Sequence, residues 1–166
     1  MNLIERLNIG PIICAEGYLF AMERRGYLQA GSFVPEVVLD NPEVVIQLHK
    51  EFIRAGSDVV QAFTYYGHRE KLRLIGKEDL LEPLQKTALS IAKEAANDFK
   101  DLDLIVCGDV ANTNIFDPID KSSSLECQSM YEEQIRWAKE AGVDFIVAET
   151  IDWVDEMKIA LKAIKD

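Results

Sequence analysis

Val143-Asp144-Phe145-Ile146-Val147-Ala148-Glu149-Thr150 decides the reading of the fold. The run is apolar, too short for a helix and rich in β-branched residues, which predicts a strand buried on both faces of a sheet. Glu149 stands where that strand runs out. In a parallel, barrel-like sheet the carboxyl ends of the strands are where function collects. A carboxylate there also suits the cap of a following helix, so the weight comes from repetition. The phrase Ala-Gly-Ser-Asp-Val-Val at 55 to 60 returns as Ala-Gly-Val-Asp-Phe-Ile at 141 to 146, each time a glycine stop and a short turn before a buried strand.

Working outward, Ile12-Ile13-Cys14-Ala15 reads as a first strand ended by Glu16-Gly17, Asp58 to Thr64 as a second and Leu104 to Val110 as a third. The intervening stretches carry helical spacing. Asn41-Pro42-Glu43 offers a capping side chain, a proline at the first helical position and an acid at the positive helix start, and the helix stops at Ala55-Gly56. Glu70 to Phe99 predicts a helix in two pieces divided near Gly76, Ser124 to Ala141 one ended by Gly142, and Asp152 to Lys165 a last one, with a short amphipathic helix at 2 to 8. Residues 18 to 40 read as a loop whose aromatics, Tyr18, Phe20, Tyr27 and Phe33, must pack onto the body or line a site. Strands alternating with helices predict a parallel sheet with helical crossovers in an α/β protein. Four strand–helix units are half of a (β/α)8 barrel, or a small open sheet; no linker or charge block divides the 166 residues, so one domain is expected.

With 29 acidic residues against 18 basic ones, the net charge of -11 opposes contact with nucleic acid or anionic membrane surfaces. No apolar run approaches the roughly 18 to 20 residues of a membrane helix, and the charged start from Met1 to Asn8 lacks a secretory pattern, so a cytoplasmic location is expected. Cys14, Cys107 and Cys127, odd in number and widely spaced, read as reduced thiols rather than a disulfide framework, Cys14 and Cys107 as buried ones within strand-like runs.

Among further candidates, His68 reads as a solvated loop histidine more readily than as a general base, and His49 as a packing or surface residue. Asp109 ends the third strand, Asn112 and Thr113 follow in its loop, and all three are expected to line the active face. Asp117-Pro118-Ile119-Asp120 lacks the glycine and spacing of a calcium loop and reads as a turn.

Longer motifs carry a resemblance. Gly17-Tyr-Leu-Phe-Ala-Met-Glu-Arg-Arg-Gly-Tyr-Leu-Gln-Ala-Gly31, Pro35-Glu36, Asn41-Pro-Glu-Val-Val, Leu48-His-Lys-Glu-Phe-Ile-Arg-Ala-Gly-Ser57, Phe63-Thr-Tyr-Tyr66 and Val143-Asp-Phe-Ile-Val-Ala-Glu149 resemble the N-terminal half of the homocysteine S-methyltransferases, in their betaine-using branch. The resemblance implies a TIM-barrel fold and methyl transfer from a betaine-like onium donor to the zinc-activated thiolate of homocysteine, giving methionine. It places the zinc-binding cysteines on later strands, so no residue of this chain is expected as a metal ligand or catalytic group. It implies that Glu149, with Glu16 and Gly17, holds the amino acid, and that Tyr66, Phe33 and Tyr65 form the donor pocket by cation–π attraction.

The chain also departs from that pattern. Ala15-Glu16-Gly17 stands for an Asp-Gly-Gly, Phe33 for a tryptophan, Ala62 for a hydroxyl residue and Thr150 for a tyrosine. A different reading makes the chain a non-catalytic truncated paralogue, a half-barrel that binds a small ligand or dimerises. In either case a homo-oligomer or a missing C-terminal half is expected to cover the open face.

Overall fold

The computed structural model describes residues 1 to 29 and 35 to 166. The described residues form three parallel strands and a layer of helices. In chain order these are α1 (Leu3–Leu7), α2 (Tyr18–Arg24), α3 (Val37–Asp40), α4 (Pro42–Arg54), β1 (Val59–Gln61), α5 (Arg69–Leu74) and a 3-10 turn at Glu78–Leu80. Then come α6 (Leu81–Asn97), β2 (Ile105–Ala111), α7 (Lys121–Ala141), β3 (Phe145–Glu149) and α8 (Val154–Lys165). The strand order is β1-β2-β3, with Gln61 opposite Cys107 and Glu149 opposite Ala111. No helix among the described residues is long and apolar enough to cross a membrane.

The expected first strand is reduced to a single parallel bridge between Cys14 and Val59. Side chains supplement the backbone bonds there: Val59 N–H donates to Ile13 O at 3.1 Å, Asp58 Oδ2 accepts from Ile13 N at 2.8 Å and Ser57 Oγ accepts from Ala15 N at 3.0 Å. The aspartate of the repeated phrase does the same work twice. Asp58 N–H donates to Ile13 O at 2.8 Å while its carboxylate takes the N–H of that same residue. Asp144 N–H donates to Val106 O at 2.8 Å, and its Oδ2 accepts from Val106 N at 2.7 Å. Each aspartate thus closes a ring onto one residue of the neighbouring segment and fixes the register at which the next strand begins.

Alternation along the strands sorts the two faces. Val60, Val106 and Ile146 pack with Leu84, Leu89, Ala92 and Ala95 of α6 and with Trp137 and Ala138 of α7. Val59, Ile105, Cys107, Phe145 and Val147 share the opposite face with Leu3, Ile12 and Cys14. Gly108 lies where α7 crosses β2; a Cβ there would stand 2.8 Å from Ile146 Cδ1 and 3.2 Å from Ala138 Cβ, so the helix sits this close only over a glycine.

Three expectations change. The stretch after Gly17 is not a plain loop: Tyr18 and Met22, four residues apart in α2, are buried with Val38, Val45, Leu48 and Phe63. Asn41 makes no side-chain cap on α4; it terminates α3 instead, its N–H bonded to Val37 O. β3 is half-buried along its whole length rather than covered on both faces, because it pairs on one edge only and its inner face is not covered by a second layer of described residues.

Both histidines are buried. Tyr18 Oη lies 2.9 Å from His49 Nδ1, and burial pushes the His49 pKa from its ordinary 6.5 down to about 3. The folded state therefore keeps His49 neutral while the unfolded chain protonates it below about pH 6.5. Stability is intact above that pH and is lost as pH falls toward the folded value.

Two measurements check this account. Asp144→Ala leaves the buried Val106 N–H without an acceptor and is expected to cost about 1 to 3 kcal/mol in urea denaturation, with Asp144→Asn retaining part of it. Between pH 6.5 and 5 the protein is expected to lose stability relative to a His49→Gln variant, at a slope approaching about 1.4 kcal/mol per pH unit.

Candidate functional site

The strand ends converge on a cleft of about 260 Å3. Its floor is made by Gln61 of β1, Asp109 of β2 and Glu149 of β3, and its wall by Glu16, Gly17 and Phe20 from the segment that enters α2. Tyr65 and Thr150 close its outer side. Gly17 holds φ at 89°, the left-handed conformation that turns the chain from the Cys14 bridge into α2 and lays Glu16 along the rim. A larger groove, about 570 Å3, runs between α6 and α7 past Lys86, Lys93 and Trp137, but it lies on the helical layer away from the strand ends.

Glu149 is half-buried, and its Oε1 accepts from Gln61 Nε2 at 2.9 Å across the top of β2. Gln61 Oε1 in turn receives the Cys14 thiol at 3.5 Å. Asp109 lies beneath this arch, only 3% exposed. Neither of its carboxyl oxygens has a hydrogen-bond partner among the described residues. Burial, then the adjacent Glu149 carboxylate, push its pKa well above the usual carboxylate range, so its ionised form is disfavoured. Cys14 and Cys107 lie side by side lower on the same face. The Cys107 thiol stabilises the Cys14 thiolate, lowering the Cys14 pKa, and that contact together with burial raises the pKa of Cys107.

The residues picked from sequence divide. Glu16, Gly17, Tyr65 and Glu149 share the cleft. Tyr66 stands beside it: its ring centroid is 4.2 Å from that of Tyr65, and Lys71 Nζ lies 4.1 Å from its centroid. Burial, Tyr65 and Asp152 push its pKa up to about 12. Phe33 falls outside the described residues.

His68 is not a solvated loop histidine. It is 1% exposed and caps α5 by accepting from Lys71 N at 3.5 Å. Burial, then Lys71, lower its pKa to about 4 and keep it neutral. Asp109 lines the cleft as expected of a residue ending a strand, whereas Asn112 and Thr113 are buried outside it. Thr113 instead donates to Glu156, at 2.7 Å from its N–H and 2.6 Å from its hydroxyl. Sequence reasoning missed Gln61. Its signal was a long polar side chain two residues after Val59, on the inward face of an otherwise apolar strand.

Among the described residues no group of three or more His, Cys, Asp or Glu side chains is placed to hold a metal ion. Cys14 and Cys107 are adjacent, but Cys127 is buried elsewhere, its sulfur 3.1 Å from Thr113 Oγ1. The three thiols therefore do not fit a tetrahedral zinc site.

Comparison with known proteins agrees with this architecture. The structure superposes on the Escherichia coli homocysteine methyltransferase MmuM in its metallated form with a TM-score of 0.82 at 20% identity, covering 98% of this chain and 62% of that one. At that identity the likeness speaks to the fold. Betaine–homocysteine S-methyltransferase 1 of mouse is 34% identical over 169 residues, 99% of this chain and 40% of the mouse protein. The pig protein of that name is also 34% identical, with 59% of its length covered. The chain thus spans well under two thirds of the curated relatives it matches. Residues 17 to 166 match the family described as homocysteine S-methyltransferase, and the chain belongs to that family.

Proposed function

We propose that this chain supplies the substrate-binding half of a homocysteine S-methyltransferase that uses a betaine-like onium donor, within a (β/α)8 barrel whose first four strand–helix units it contributes. The observation that carries the reading is the carboxylate of Glu149, fixed by Gln61 at the end of β3 in an acidic cleft with an aromatic wall. The family match and the names of the relatives supply the chemistry to which that arrangement is suited.

In this reading Glu149, helped by Glu16 and the backbone turn at Gly17, receives the homocysteine ammonium, and Tyr65, Tyr66 and Phe33 offer aromatic faces to the donor. Transfer is a single displacement. The deprotonated sulfur forms a bond to the donor methyl carbon as the carbon–nitrogen bond breaks, and the amine leaves neutral, so no general acid is required. The thiol proton is lost to solvent beforehand. The chain's own contribution is proximity: it holds sulfur and methyl group in line and keeps water off the aromatic wall. The zinc implied by the resemblance does not fit the described residues, and on that resemblance its ligands would lie outside them.

A second reading, a non-catalytic half-barrel assembling with another copy, draws on the half-buried β3 and its unpaired edge. The two differ in what they turn over. Calorimetric titration with L-homocysteine is expected to show binding that Glu149→Gln weakens by about 10- to 100-fold, the loss of one charged hydrogen bond. Equal affinity of the variant, or a wild-type chain indifferent to homocysteine, overturns the assignment.

A further inference from the structure

β2 delivers to the cleft one group that the reaction as proposed leaves unused. Alternation puts Ile105, Cys107 and Asp109 on the face turned away from the helices, and Asp109 is the last of them, opposite Val147 and two residues short of the level of Glu149. Its main chain is fully engaged, its carbonyl accepting from Thr64 Oγ1 at 3.0 Å. Its side chain is not. At 3% exposure, both carboxyl oxygens lack a partner among the described residues while lining the cleft.

The same fold shows how it treats an acid that is there for structure. Glu156, 2% exposed, accepts from Thr113 N, Thr113 Oγ1 and Tyr131 Oη at 2.7, 2.6 and 3.1 Å. A buried carboxyl without such bonds is costly, and buried polar groups left in that state call for a specific explanation. Asp109 has that unsatisfied valence buried at the lining of a cleft.

The charge around it points one way. Glu149 and Glu16 face Asp109 in the cleft, the Cys14 thiol faces it from the neighbouring segment, and no lysine, arginine or histidine is among the described residues lining the cleft. An anionic ligand would meet three acids and no cation. Resting on the reading of the cleft as an amino-acid site, we propose that Asp109 is a second carboxylate for the ligand's ammonium group, acting with Glu149 and selecting a primary ammonium over a quaternary one. A primary ammonium has enough N–H donors to bridge two carboxylates, whereas a quaternary nitrogen has none. Burial and Glu149 favour the protonated form of Asp109; a cation between the two acids favours its ionised form, so binding expels the Asp109 proton to solvent.

Propylammonium and L-methionine, which carry an ammonium and no thiol, are suitable probes in calorimetry near pH 7 in two buffers of different ionisation enthalpy. The wild-type chain is expected to release about one proton per probe bound, with tetramethylammonium binding at least tenfold more weakly than propylammonium. Asp109→Asn keeps the shape of the side chain and removes its ionisable proton; it is expected to lose at least tenfold in affinity for both probes and to release no proton. Unchanged affinity in that variant, or binding to the wild type without proton release, overturns the role of Asp109, and the second result needs no variant to fold. Propylammonium binding with proton release while L-homocysteine fails to bind keeps the Asp109 assignment and removes the homocysteine one. Failure of every primary ammonium to bind removes both.

Discussion

The paired aspartates that open β1 and β3 govern the rest of the molecule. Asp58 and Asp144 each engage both the N–H and the carbonyl of a single residue next door, Ile13 and Val106. A parallel sheet has no hairpin turn to set its register. Here a side chain sets it, at the amino end, before the first ladder bond forms. Since side chains alternate faces with a period of two residues, a one-residue slip would exchange the helix-facing and cleft-facing sets. The convergence of Gln61, Asp109 and Glu149 at the far end thus depends on bonds made at the near end.

β2 converts that register into a layered structure. All seven of its residues are buried, and it is bonded on both sides, so it forms the axis on which α6 and α7 pack from one face and the cleft forms at one end of the other. Helices and cleft compete for nothing, because Val106, Gly108 and Val110 serve the first while Cys107 and Asp109 serve the second. The cost of a polar floor is confined to the strand ends, where Gln61 spans β2 to satisfy Glu149 and leaves Asp109 beneath it.

Much of this was legible in the sequence where the signal is local. The repeated phrase located two strand starts, Gly142 ended α7, and Pro42 began α4. Glu149 at a strand end was readable from one apolar run. What escaped depends on contacts remote in sequence. The segment at 12 to 15 has the composition of a strand, yet its pairing stops at one bridge, and the side chains of Asp58 and Ser57 take up the N–H groups of Ile13 and Ala15. The stretch at 18 to 24 lacks a capping side chain, and becomes helical because Tyr18 and Met22 find a pocket made by α4 and Phe63. His68 reads as polar and exposed, but three residues on, an N–H of α5 needed an acceptor. Gln61 was invisible as a site residue because its partner lies 88 positions away.

Tyr66 carries a consequence for any cationic methyl source. One side of its ring already holds the ammonium of Lys71, 4.1 Å from the centroid, on a helix that begins three residues later. An incoming onium group that used this side would be exchanging places with a tethered resident. Its observed affinity would be the difference between two attractions to the same π-cloud, diminished by the high local concentration of a tethered competitor. The neighbouring Tyr65 borders the cleft itself.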